Sequence, residues 1–200
     1  MRSPAILVVA LALTACGGSA QRLEKLSPDA VVLAFGDSLT FGSGASPGDS
    51  YPAQLEALIG RKVVNAGVPG EVSAAGLERL PAVLDEVQPA MLLLCHGGND
   101  FLRKMDDARV AENVRAMVRL ARERNIQVVL LATPKPTLPP SLPVFYREIA
   151  AEARAGFVEA VMKEVLSDRD LKSDFVHPNA KGYREIARAV EKALRKSGAV

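Results

Sequence analysis

Four short apolar runs punctuate the chain, and three of them end directly at glycine. They are Ala30–Phe35 (AVVLAF), Lys62–Ala66 (KVVNA), Ala90–His96 (AMLLLCH) and Ile126–Ala132 (IQVVLLA). A weaker fifth lies in Phe157–Met162. Runs this short, bounded by turn residues and rich in Val and Leu, are expected as strands buried on both faces of a parallel sheet. Between them the apolar positions change to helical spacing. Ser50-Tyr51-Pro52 opens a segment with Leu55, Leu58 and Ile59 on one side, and Gly60 closes it. Leu77, Leu80, Leu84 and Val87 form a second stripe, with Pro81 expected to kink or split that helix. Val110, Val114, Met117, Val118 and Ala121 form a third, and Ile186, Ala187, Val190 and Leu194 a fourth. Strand alternating with helix five times predicts a single α/β domain over residues 30–200. Its expected form is a three-layer α/β/α sandwich on a flavodoxin-like parallel sheet of about five strands, order 2-1-3-4-5.

The first residues follow a different pattern. Arg2 precedes a short apolar run, Ala5–Leu13, that is too brief to span a bilayer, which needs about 20 residues. Residues 1–15 read as a secretory signal. Leu13-Thr14-Ala15-Cys16 resembles a bacterial lipobox, which implies cleavage before Cys16, lipidation of its thiol and a membrane anchor. Gly17 in the next position favours the outer membrane, so the expected location is the periplasmic face of a bacterial cell envelope. An ordinary signal peptide with secretion to the periplasm is the alternative. Residues 16–29 read as a lipidated tether without periodicity. Cys95, the one remaining cysteine, cannot form an internal disulfide and reads as a small buried apolar side chain. With 25 basic and 23 acidic residues, interleaved along the helices, the net charge of +2 gives no case for nucleic-acid binding.

Candidate chemistry sits in the loops that follow the strands, where open parallel sheets bind ligands. Gly36-Asp37-Ser38-Leu39-Thr40 follows the first, Gly67-Val68-Pro69-Gly70-Glu71 the second and Gly97-Gly98-Asn99-Asp100 the third. In order 2-1-3 these loops are neighbours. They offer one hydroxyl, glycine-freed backbone N–H groups and a side-chain amide, the set that acyl transfer requires for attack and for stabilising an oxyanion. A base is available at His177, three residues after Asp174, giving the chain order Ser…Asp…His. Each piece alone is unspecific; their joint placement, each after its own strand, is what carries the reading.

GDSLTFG at 36–42, NAGVPGE at 65–71, GGND at 97–100 and DFVHPN at 174–179 resemble the four sequence blocks of the SGNH/GDSL hydrolases. The stretch GLERLPAVLDEVQPAMLLLCHGGNDFLR, 76–103, is similar to the thioesterase I / protease I / lysophospholipase L1 branch, which includes arylesterases. The likeness runs from about Ala30 to Leu194. It implies Ser38 as nucleophile, Asp174 and His177 as its partners, an oxyanion hole of Ser38, Gly70 and Asn99, and no metal or cofactor. The implied activity is hydrolysis of small carboxylic esters or thioesters through an acyl-enzyme on Ser38, by a monomer. No Gly-x-Ser-x-Gly surrounds Ser38, which sits in Gly36-Asp37-Ser38-Leu39-Thr40, and this argues against a nucleophile elbow of the α/β-hydrolase kind.

Other residues have plainer readings. His96 at a strand end is expected to be structural, and Asp37 and Asp100 to fix turns. Phe101, Leu102 and Met105 either line an acyl groove, form a flap or simply pack; Leu138 and Leu142, in the five-proline stretch Thr133–Val144, are either groove wall or connector. Two other functions remain open: an O-acetyl deacetylase of polysaccharide or peptidoglycan, and a lipoprotein binding module without catalysis. The absence of Trp, with only three Tyr, weighs against a carbohydrate platform, and the complete constellation weighs against loss of catalysis.

Overall fold

A computed structural model describes residues 21–200. The signal segment and Cys16 lie outside the described residues. Five parallel strands form one sheet in the order β2-β1-β3-β4-β5. They are β1 (Val32–Gly36), β2 (Val63–Gly67), β3 (Met91–Cys95), β4 (Gln127–Leu131) and β5 (Gly156–Val158). The helices are α1 (Ser38–Phe41), α2 (Tyr51–Ile59), α3 (Ser73–Val87), α4 (Gly98–Leu102), α5 (Asp107–Glu123), α6 (Phe145–Glu152), α7 (Val161–Ser167) and α8 (Ala180–Ser197). Among the described residues no helix is long and apolar enough to cross a membrane.

Alternation along the three central strands produces two cores. Val32, Ala34, Met91, Leu93, Val129 and Leu131 face α2, α7 and α8, where they meet Leu55, Val165 and Ile186. Leu33, Phe35, Leu92, Leu94, Val128 and Leu130 face α3, α5 and α6, where they meet Leu80, Val114 and Ile149. A strand covered on both sides must be apolar at every position, which is why these runs read as continuous rather than alternating. β2 departs from that pattern: it is an edge strand, and beyond Val63 it is only partly covered.

Three expectations need correction. The fifth strand is not Phe157–Met162: only Gly156–Val158 pairs, against Val129–Leu131, and Val161 already begins α7. Pro81 neither splits nor ends α3. It removes one ladder donor, but Leu80 and Leu84 on either side of it are buried against the sheet and hold both halves in place. The described part of the segment read as a tether is also docked rather than free. Leu23 and Leu26 donate main-chain hydrogen bonds to Ser197 and Ala199, Leu26 is buried, and Glu24 exchanges two hydrogen bonds with the Gln127 side chain. Leu23 and Leu26 supply the apolar contacts that a solvated linker lacks.

Candidate active site

Ser38 occupies the first position of α1, immediately past the end of β1. The chain must turn tightly there: a Cβ on Gly36 would lie 2.0 Å from the Cys95 carbonyl oxygen and 2.4 Å from Thr40 Oγ1. Only glycine permits so close an approach. Asp37 caps the turn, its Oδ1 accepting from the Leu39 N–H at 3.0 Å. Burial pushes the Asp37 carboxyl up from its ordinary value, opposed in part by His96 and by the Leu39 N–H.

His177, the candidate base, comes from a segment 139 positions further along the chain. Asp174 Oδ1 accepts from the N–H groups of Val176 (2.8 Å) and His177 (2.9 Å), closing a tight turn. Its Oδ2 lies 2.8 Å from His177 Nδ1. A carboxylate can only accept, so Nδ1 carries the hydrogen and Nε2 is free to accept. Nε2 lies 3.0 Å from Ser38 Oγ. What burial Asp174 has works to raise its carboxyl, but the hydrogen bonds from the His177 ring and from the two N–H groups outweigh it and hold the group below its ordinary value. The segment is tied to the nucleophile's side by Tyr183, whose hydroxyl donates to the Ser43 carbonyl at 2.8 Å, and by Gln54, which donates to the Ala180 carbonyl at 3.3 Å. Asn179 caps α8 through the Lys181 and Gly182 N–H groups, so the histidine is held just before a rigid helix.

Ser38, Gly70, Asn99 and His177 line one cavity of about 430 Å³, within the size range of small-molecule sites. Asn99 Nδ2 donates to the Glu71 carbonyl at 3.0 Å and lies 3.3 Å from Asp37 Oδ2. Chemically, the arrangement provides a hydroxyl with an acceptor in place for its proton, beside an amide and a glycine loop able to receive a developing negative charge.

The expected groove residues divide. Leu102 and Leu138 line the cavity. Phe101 is buried in the core, its ring 6.4 Å from that of Phe145; Met105 lines a separate depression; Leu142 packs against the α5 side of the sheet. The structure does not bring these three to the site. Phe101 and Leu102 are consecutive in α4, so their side chains point about 100° apart, one into the core and the other into the cavity; Met105 and Leu142 lie outside that helix. Pro134 and Pro136, from the stretch read as wall or connector, line the cavity, and walls not singled out from sequence come from Leu39, Leu166, Phe175 and Val176. The proline stretch thus contributes to the wall. Phe175 and Val176 sit inside DFVHPN, between the acid and the base, and their apolar character was the available signal.

Sequence reasoning also missed a side-chain cluster under the second loop. Glu71 pairs with Arg79 at 2.8 Å and with His96 at 3.1 Å, and His96 is wholly buried beside Phe35, as a structural residue would be. No pairing signal is visible in the sequence, because the three residues lie apart in the chain: Glu71 in the loop after β2, Arg79 in α3 and His96 just past β3.

The scan against family models matches residues 34–185 to the GDSL-like lipase/acylhydrolase family. The chain is 32% identical to "Esterase TesA" of Pseudomonas aeruginosa over 161 residues, 74% of this chain and 79% of that protein. It is 30% identical to "Thioesterase 1/protease 1/lysophospholipase L1" of Escherichia coli K12 over 172 residues, 82% of this chain and 83% of the relative. Among solved structures, a crystal structure of TesA superposes with a TM-score of 0.75 at 28% identity, covering 84% of this chain and 99% of that one.

Glu71 sets an acid limb for stability. Burial alone would raise its carboxyl, but hydrogen bonds from His96 and Arg79 bring it from 4.5 down to about 2. The folded value lies below the unfolded one, so the ionised group stabilises the fold above about pH 4.5, and that contribution is lost as pH falls toward about 2. Glu71→Gln is therefore expected to lower the urea midpoint near neutral pH. The gap from wild type should narrow as pH drops through that window. A gap of constant size down to about pH 3 would show that the charge is not what stabilises the loop.

Proposed function

The chain belongs to the GDSL-like lipase/acylhydrolase family and is an ester-hydrolysing serine hydrolase, and on that premise we propose that Ser38 is its nucleophile, His177 its general base and Asp174 the group that orients His177. The observation that carries this reading is the continuous chain of contacts from Ser38 Oγ to His177 Nε2 at 3.0 Å and from His177 Nδ1 to Asp174 Oδ2 at 2.8 Å. Ser38 Oγ attacks the acyl carbon while its proton passes to Nε2. The carbonyl oxygen becomes an oxyanion, received by the Ser38 and Gly70 N–H groups and the Asn99 amide. The bond to the alcohol or thiol breaks, and that leaving group takes the proton from Nε2. A water then gives its proton to Nε2 and attacks the acyl-enzyme. The acid departs and Ser38 recovers its hydrogen.

The proposed substrates are esters and thioesters of short to medium acyl chains. An acetyl group fills little of a cavity of about 430 Å³ whose walls include Leu39, Leu102, Leu138, Phe175 and Val176. An apolar wall of this extent favours a chain with methylenes to bury.

The envelope location is likewise proposed, with Leu13-Thr14-Ala15-Cys16 as the anchoring signal. In support, Glu24 docks against Gln127, the first residue of β4, at the opposite end of the strands from Ser38.

Three measurements test these statements. Ser38→Ala and His177→Ala should abolish p-nitrophenyl ester hydrolysis, and Ser38→Ala should abolish fluorophosphonate labelling; Asn99→Ala should lower kcat by roughly 10²–10³ with KM little changed. A labelled Ser38→Ala protein would refute the nucleophile. With p-nitrophenyl esters of increasing length, kcat/KM should climb about fourfold per methylene, from about 0.8 kcal/mol each, until the groove is filled. A decline from acetate onward would point to an O-acetyl deacetylase instead. Cys16→Ser should move the protein from the membrane to the soluble fraction; mass spectrometry showing an unmodified mature wild-type chain would remove the anchor.

A further inference from the structure

The cluster under the second loop has no direct part in the acyl-transfer steps, yet it is connected to the oxyanion site through one residue. The Glu71 carboxylate accepts from Arg79 Nε and Nη2, both at 2.8 Å, and from His96 Nε2 at 3.1 Å. Arg79 is itself fixed: Nη2 also donates to the Ala66 carbonyl at 3.1 Å, and the guanidinium lies 4.2 Å above the Phe35 ring. His96 fits beneath α3 only because residue 76 is glycine, since a Cβ there would lie 2.3 Å from Nε2. The Glu71 side chain therefore fastens its loop to β2, α3 and the end of β3 at once. Its main-chain carbonyl points the other way and accepts from Asn99 Nδ2 at 3.0 Å.

We propose that Glu71 is a positioning residue for the oxyanion site: its carboxylate, clamped by Arg79 and His96, fixes the carbonyl that orients the Asn99 amide. The inference rests on the Ser38 site proposed above. Oxyanion donors lower a barrier because they are already aimed when charge develops. A primary amide on a short side chain rotates freely unless something holds it; here it is held by the Glu71 main-chain carbonyl at 3.0 Å, the shorter contact, whose own position depends on a bidentate ion pair, and by Asp37 Oδ2 at 3.3 Å. The planar two-pronged contact of Arg79 sets direction as well as distance, which a lysine cannot do. Burial of an ion pair is weak grounds for stability by itself, so the arrangement is better accounted for by the geometry it imposes.

The test is a double-mutant cycle of Glu71→Gln and Asn99→Ala, with kcat and KM measured on p-nitrophenyl butyrate and thermal unfolding followed alongside. Glu71→Gln is expected to lower kcat about tenfold with KM within about twofold, and to cost less than about twofold when Asn99 is already alanine, because the amide it positions is gone. Arg79→Lys keeps the charge but loses the fork, and should show a smaller kcat-only loss that also vanishes in the Asn99→Ala background. It serves for the same cycle if Glu71→Gln does not fold. Equal losses in both backgrounds, a loss confined to KM, or a lower melting temperature with unchanged kcat would overturn the proposal while leaving the Ser38 site intact. A wild-type kcat for Asn99→Ala would overturn the proposal together with the site reading beneath it.

Discussion

Gly36 is paired with Gly67 on one side and with Cys95 on the other. This in-register parallel pairing is the constraint on which the site depends. Three strands end on one line, so the three loops after them start side by side. Had any strand slipped by one residue, its side chains would have exchanged faces, and Asp37, Gly70 or Asn99 would sit in the wrong layer. The register is held by the two apolar cores, in which Leu33 and Leu92 on one face and Ala34 and Leu93 on the other are wholly buried. Hydrophobic burial thus sets the position of the catalytic loops to within one strand residue. Hydrogen bonds such as Asp37 to Leu39 provide the finer adjustment.

The two charged clusters of the site have opposite characters. Asp174 is half exposed, and the His177 ring is partly so. Water there can follow the ring as its charge changes. Glu71 and His96 are nearly or wholly buried. A buried, fully paired carboxylate is costly to disturb and so does not respond to what happens in the cavity. In the proposed mechanism, fixed geometry and proton transfer thus fall to separate groups, one bonded to Asn99 and the other to Ser38.

The central strands were legible because both faces are covered, which forces MLLLC, and QVVLL after its opening Gln127, to be apolar. The helix stripe of α5 was legible for the complementary reason, that one face only is buried. β5 was misplaced because a three-residue edge strand carries too little pattern to distinguish it from the start of α7. The docking of Leu23 and Leu26 was invisible because its partners, Ser197 and Ala199, lie at the far end of the sequence. For the same reason a motif could nominate Ser38, Asp174 and His177, but could not say which of Leu102, Phe101 and Met105 would reach the cavity. For Phe101 and Leu102 that depends on the phase of a single turn of helix, and for Met105 on the turn that follows it.

The contact between Ser38 and His177 spans 139 positions in sequence. A ribosome making this chain from its amino end completes β1 and Ser38 long before it supplies His177. Until α8 has folded beside α2 and Tyr183 has reached Ser43, the growing chain holds a serine without an acceptor for its proton. The order of residues therefore works as a built-in delay. With the proposed Ser38–His177 pair, hydrolysis must wait until residue 177 has been made and folded against the first strand's loop.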